Sequence, residues 1–120
     1  MTATATITLS GTLDDAPSGS KQFAGTLSSA AACPATLLVA LSTSFAAITV
    51  PTLPAPTGVM IKLPAGNTHE VTLKGVTGDT GIKIGKTGWT VLSWDPASIP
   101  TTFGMVAAGT VTNPAEVSFF

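Results

Sequence analysis

His69 is the only histidine of the chain and Cys33 the only cysteine. These two residue types carry much of the proton transfer, nucleophilic attack and metal ligation found in proteins. A general base needs partners within hydrogen-bond reach, and a structural zinc needs four ligands. One histidine and one cysteine supply neither. Glu70 follows His69, but neighbours on a strand point to opposite faces. Cys33 lies between Ala32 and Pro34, with no histidine or lysine close in sequence to favour a thiolate. It reads as a buried, inert thiol, and a lone cysteine makes no intrachain disulfide. No metal, no cofactor and no catalytic residue are expected.

Two short strings come nearer to chemistry. Gly85-Lys86-Thr87 resembles the end of a phosphate-cradling loop. The full pattern needs glycine at position 80, which is threonine here, and a helix afterwards, whereas residues 88–94 read as strand. Asp79-Thr80-Gly81 matches the catalytic tripeptide of aspartic proteases, in whose dimeric form two carboxylates share a proton. That family has apolar residues directly before the aspartate, and Gly78 stands there instead. A turn explains the string better: aspartate accepts backbone hydrogen bonds, and glycine supplies positive φ. An enzyme acting through Asp79 is the remote alternative.

The composition points the same way. The 120 residues match one ordinary domain, residues 1–120. Only 9% are charged, against about 25% in a typical domain, and there is no arginine. Threonine, 21 residues, and serine, 10 residues, must supply the polar surface instead. A net charge of −1 gives no purchase on nucleic acid or an anionic membrane. So few charges favour association. Residues 22–61 contain no charge at all. Pro34 and interspersed Thr and Ser argue against reading this run as a membrane span. The N-terminus lacks the basic and apolar regions of a signal peptide, so synthesis in a host cytoplasm is expected.

The elements follow from period-two alternation. Thr2, Thr4, Thr6 and Thr8 alternate with Ala3, Ala5, Ile7 and Leu9, placing hydroxyls on one strand face and apolar groups on the other. A loop through Gly11, Asp14, Asp15, Pro17 and Gly19 leads to a strand over 21–28, anchored by Phe23. Residues 36–42 read as a buried strand, with a short helix as the rival reading. Further strands are expected at 45–50, 59–63, 68–74, 82–84, 89–94, 103–107 and 116–120, divided by Gly/Pro turns. Short strands so spaced specify an all-β domain, a single β-sandwich or small barrel of antiparallel strands.

Trp89 and Trp94 are five residues apart and so face opposite sides of a strand, one toward the core and one outward. Phe119 and Phe120 are costly to leave on a monomer's surface. They are expected to dock into their own domain or a neighbouring subunit. Trp94, Phe119 and Phe120 are therefore the candidate subunit interface.

The stretches Val71-Thr72-Leu73-Lys74-Gly75-Val76-Thr77-Gly78-Asp79-Thr80-Gly81-Ile82 and Trp89-Thr90-Val91-Leu92-Ser93-Trp94 resemble small β-rich virion structural proteins of tailed bacteriophages. The ending, Ala108-Gly109-Thr110-Val111 to Val117-Ser118-Phe119-Phe120, is similar in style. The resemblance spans roughly the last 50 residues. It implies a virion component, a head decoration (cement) protein or a tail or collar component. Its partners would be the major capsid or tail protein and further copies of itself, with no nucleic acid and no membrane. A carbohydrate- or receptor-binding β-module using an exposed tryptophan is the other alternative. Absent Tyr and Arg weaken it.

Overall fold

The computed structural model describes residues 5–15, 19–29, 36–52 and 55–120. Cys33 and the start of the alanine-rich segment lie outside the described residues. Ten strands are present among them and no helix: β1 (Ala5–Asp15), β2 (Gly19–Ser29), β3 (Leu37–Val39), β4 (Ala46–Thr49), β5 (Gly58–Leu63), β6 (Val71–Lys74), β7 (Ile82–Ile84), β8 (Gly88–Ser93), β9 (Thr102–Ala107) and β10 (Ala115–Phe119). β1 and β2 form a separate two-stranded ladder. The other eight form two four-stranded sheets, ordered β3-β10-β5-β8 and β4-β9-β6-β7. Every pairing is antiparallel. The expected all-β architecture is thus present as a small β-sandwich. Along the chain the strands alternate between the two sheets, except where β6 turns back directly into β7.

The core lies between the sheets because alternate residues of each strand point inward. Val59, Ile61 and Leu63 of β5 and Ala115, Val117 and Phe119 of β10 come from the first sheet. Ile48 of β4, Val71 of β6, and Phe103, Met105 and Ala107 of β9 come from the second. All are buried. The intervening residues Lys62, Glu116, Thr49 and Thr102 are exposed, as the period of two requires.

Two expectations need correction. The loop drawn from Gly11 is strand: β1 continues through Gly11 to Asp15, held by an unbroken ladder in which Gly11 faces Phe23 and Asp14 faces Ser20. Backbone pairing outweighs the weak strand preference of Gly and Asp. The buried strand expected at 36–42 is only the three-residue β3, and Leu37 and Leu38 are exposed. Among the described residues β3 is an edge strand paired solely with β10, so no strand among them covers its other side. Leu41, just beyond it, is the residue of this run that enters the core.

One buried polar side chain organises the end of the sandwich near the 64–67 turn. The Asn67 backbone N–H donates to the Pro64 carbonyl at 3.1 Å, closing that turn. Its side-chain amide donates to the carbonyls of His69 at 2.9 Å and Lys86 at 2.8 Å, and its Oδ1 accepts from the His69 N–H at 3.0 Å. The Asn67 side chain thereby ties the β5–β6 connection to the β7–β8 turn. Asn67→Asp should be more damaging than its small size change suggests. A carboxylate has no protons for the two carbonyls it would face. We expect a loss of about 1–3 kcal/mol, measurable as a lower midpoint in urea unfolding, with Asn67→Ser falling between the two.

Candidate functional site

β7 and β8 are edge strands of different sheets, joined through the short 85–87 connection. Gly88, at φ +82°, supplies the left-handed backbone that enters β8. At the other end of this flank the sheets diverge and leave an apolar groove of about 500 Å³. Val59, Leu73, Ile82, Leu92, Trp94 and Phe103 line it, and Lys74 and Asp79 border it. Ile82 is 68% exposed and Leu92 37% exposed, although register places both on the inward side of their strands. Ile82 is paired with the half-buried Leu73, and Leu92 with the buried Val59. The flank is therefore a sandwich core left open to water along one side.

The outer face of the β3-β10-β5-β8 sheet is a second exposed surface. Register aligns Leu38, Glu116, Lys62 and Trp89 in one row across four strands, and Ser118, Met60 and Val91 in the next. Leu38 is 68% exposed and Trp89 60%. The Lys62 ammonium lies 5.5 Å from the Trp89 ring centroid, a cation–π arrangement. The outer face of the other sheet differs in character, carrying Thr72, Lys74, Lys83 and Thr102. Lys83 there bonds Glu70 at 2.8 Å. This hydrogen bond, and then the Lys83 charge itself, holds the Glu70 carboxyl below its ordinary range, with a smaller push from Lys86.

Of the three aromatics named as a candidate subunit interface, the two phenylalanines take the first of the two places expected of them. Phe119 and Phe120 are 5% and 2% exposed, taken up by their own domain. Phe119 meets Phe103 edge-on at 6.2 Å and Trp94 at 6.3 Å between ring centroids. Trp94 is half-buried on this cluster, and its indole N–H donates to the Pro56 carbonyl at 2.8 Å. Phe120 exchanges backbone hydrogen bonds with Gly58, both at 3.1 Å. Only Trp94 of the three reaches a surface, as a wall of the groove. The tryptophan that faces outward is Trp89, so the opposite facing of the pair was readable from their spacing. Leu92 and Ile82 were not anticipated as surface residues, because nothing in a strand pattern says that a sheet ends beside them.

The chemistry-bearing strings are dispersed. Asp79 sits in the 76–79 turn. Its Oδ2 accepts from the Val76 N–H at 2.9 Å, and its own N–H donates to the Val76 carbonyl at 3.1 Å. Gly81, at φ +74°, follows it into β7. Gly85-Lys86-Thr87 forms the β7–β8 turn and leads into strand. His69 lies in a different concavity of about 280 Å³, beside Asn67, Thr68 and Thr110. Its ring packs where a Cβ on Gly109 would sit, 2.6 Å from that point. Among the described residues, no three of His, Cys, Asp and Glu cluster as a metal site would require. No helix among them is long and apolar enough to cross a membrane.

No family model, no curated protein and no solved structure matches the chain.

Proposed function

We propose that this chain is a non-enzymatic structural subunit that packs on other protein subunits of a virion, as a head decoration protein. The observation that carries the packing role is the open β7–β8 flank, with Ile82 and Leu92 exposed over the groove. Apolar surface in water is unfavourable by about 25 cal/mol per Å², so covering it with another protein drives association. The surrounding surface favours the same outcome. Threonine and serine hydroxyls cost less to strip of water than ionic groups, and only 9% of the chain is charged. The virion assignment rests on the likeness of 71–82 and 89–94 to small phage virion proteins. These two segments supply β6, its following turn and β8, the elements that border the groove.

The test is co-sedimentation of the purified chain with phage heads lacking decoration, and separately with isolated tails. Binding to heads, abolished by Ile82→Asp, is the expected result. Binding to tails alone would move the assignment to a tail or collar component. A carbohydrate-binding role is the second reading, favoured by one observation, the outward-facing Trp89. It requires glycans to change tryptophan fluorescence in the wild type but not in Trp89→Ala, with no sedimentation alongside either particle.

A further inference from the structure

The outer face of the β3-β10-β5-β8 sheet carries a row that is complementary to itself. In spatial order the row runs Leu38, Glu116, Lys62, Trp89, one residue from each strand. Its order is apolar, negative, positive, apolar, and all four residues are exposed. The next row runs Thr36, Ser118, Met60, Val91. Register fixes its last three members, and the Thr36 and Ser118 hydroxyl oxygens lie 3.0 Å apart. Lys62 turns to Trp89, and Glu116 makes no ion pair among the described residues. The two ends of the first row differ in shape. Trp89 stands out from β8, 60% exposed. At the β3 end there is a concavity of about 440 Å³, lined by Leu38, Lys62, Pro64, Pro114 and Glu116.

A two-fold axis along the strands, midway between β10 and β5, turns each row end for end. It sets Glu116 against the second copy's Lys62, and Lys62 against its Glu116. Trp89 of each copy falls on Leu38 of the other, at the concavity. In the next row Ser118 falls on Met60 and Thr36 on Val91. An isologous contact requires this self-complementarity. A two-fold axis across the strands would stack Glu116 on Glu116 and Lys62 on Lys62, and like charges facing each other oppose association. Sheets pack face to face with their strands nearly aligned, so the contact needs no change of backbone. Four strands of up to six residues make a face of roughly 20 by 20 Å. That is small for a protein interface, so dimerisation is expected at high protein concentration.

We infer that this face binds a second copy of the chain, in a two-fold contact of Lys62 with Glu116 and of Trp89 with Leu38. This goes beyond the packing role proposed above, which uses the groove. The test is sedimentation equilibrium of the full chain at rising concentration, with circular dichroism to show that each variant is folded. The wild type should dimerise, and Trp89→Ala should do so about tenfold more weakly. Lys62→Glu alone and Glu116→Lys alone should be monomers, because each stacks like charges across the axis. Mixed in equal amounts they should form a heterodimer, since one copy then presents two carboxylates and the other two ammonium groups. Repulsion within a chain cannot explain that rescue, because mixing leaves each chain as it was. A short bismaleimide in the Cys33→Ser background reads the axis, since facing sheets lie about 10 Å apart, beyond the reach of a disulfide. Thr36→Cys mixed with Val91→Cys should cross-link, and neither should link to itself. If a charge variant fails to fold, the cross-link alone decides. A wild type monomeric up to about 1 mM, a folded mixture that stays monomeric, or Val91→Cys linked to itself overturns the inference. A monomer whose tryptophan fluorescence responds to glycans would give the face to a carbohydrate instead. A monomer that still binds phage heads would refute the two-fold contact while leaving the virion role standing.

Discussion

Phe119→Ala is expected to lower the stability of the domain by about 3–5 kcal/mol, the usual cost of truncating a buried phenylalanine. The ring is 5% exposed and sits between Trp94 and Phe103, at 6.3 and 6.2 Å. It thus joins the two sheets: β10 brings it from one and Phe103 belongs to the other. Each kcal/mol moves the melting temperature of a 120-residue domain by about 4 °C, so the fall should exceed about 10 °C. The measurement also separates the two places where a terminal aromatic pair can go. A residue reserved for a neighbouring subunit would lose assembly on truncation and keep its melting temperature. Phe119→Ala should do the reverse, lowering the melting temperature while the folded variant keeps whatever assembly the wild type shows.

Gly58→Val should be the second severe change, and by a different route. A Cβ at Gly58 would lie 2.2 Å from the Leu92 carbonyl oxygen and 2.6 Å from the Phe120 ring. The first neighbour is backbone of the paired strand β8 and has little room to retreat. The second is a side chain 2% exposed. Overpacking of this kind costs typically 1–3 kcal/mol, and the branched side chain adds two methyl groups in the same space. Gly66→Ala is the control, since nothing lies within 4 Å of its added Cβ. Removing backbone freedom there without strain should leave stability unchanged or raised by up to about 1 kcal/mol. Chemical unfolding of the three proteins side by side checks both values.

The second half of the molecule is legible in the sequence because pattern and punctuation agree. Alternation fixes which residues of β5, β9 and β10 point inward, and Pro64-Ala65-Gly66-Asn67 and the 75–81 glycines mark where the chain turns. The uncharged run is less legible. Leu37 and Leu38 have the apolarity of a core strand, and only the sheet order shows that they lie at an edge with a neighbour on one side. The groove has the same origin. Ile82 and Leu92 follow the inward pattern faithfully, and their exposure comes from two sheets failing to meet beyond them, a property of three dimensions with no local signature. Asn67 is half legible. Its place after Pro64-Ala65-Gly66 announces a turn, but its bond to the Lys86 carbonyl joins residues 19 apart.

The strand order carries a kinetic consequence. β10 lies between β3 and β5, and β9 between β4 and β6. Each sheet is therefore closed through its middle by a strand made on the ribosome after the two strands that it joins. Until β9 and β10 are available, β3 and β4 have no partner in their sheets. The sandwich cannot grow strand by strand from its beginning. Such dependence on distant pairings makes folding slow, on the order of milliseconds to seconds. Meanwhile the unpaired apolar strands β3, β4 and β5 are exposed to one another across chains. Yield on expression should depend on temperature and synthesis rate more steeply than the stability of the finished domain would suggest.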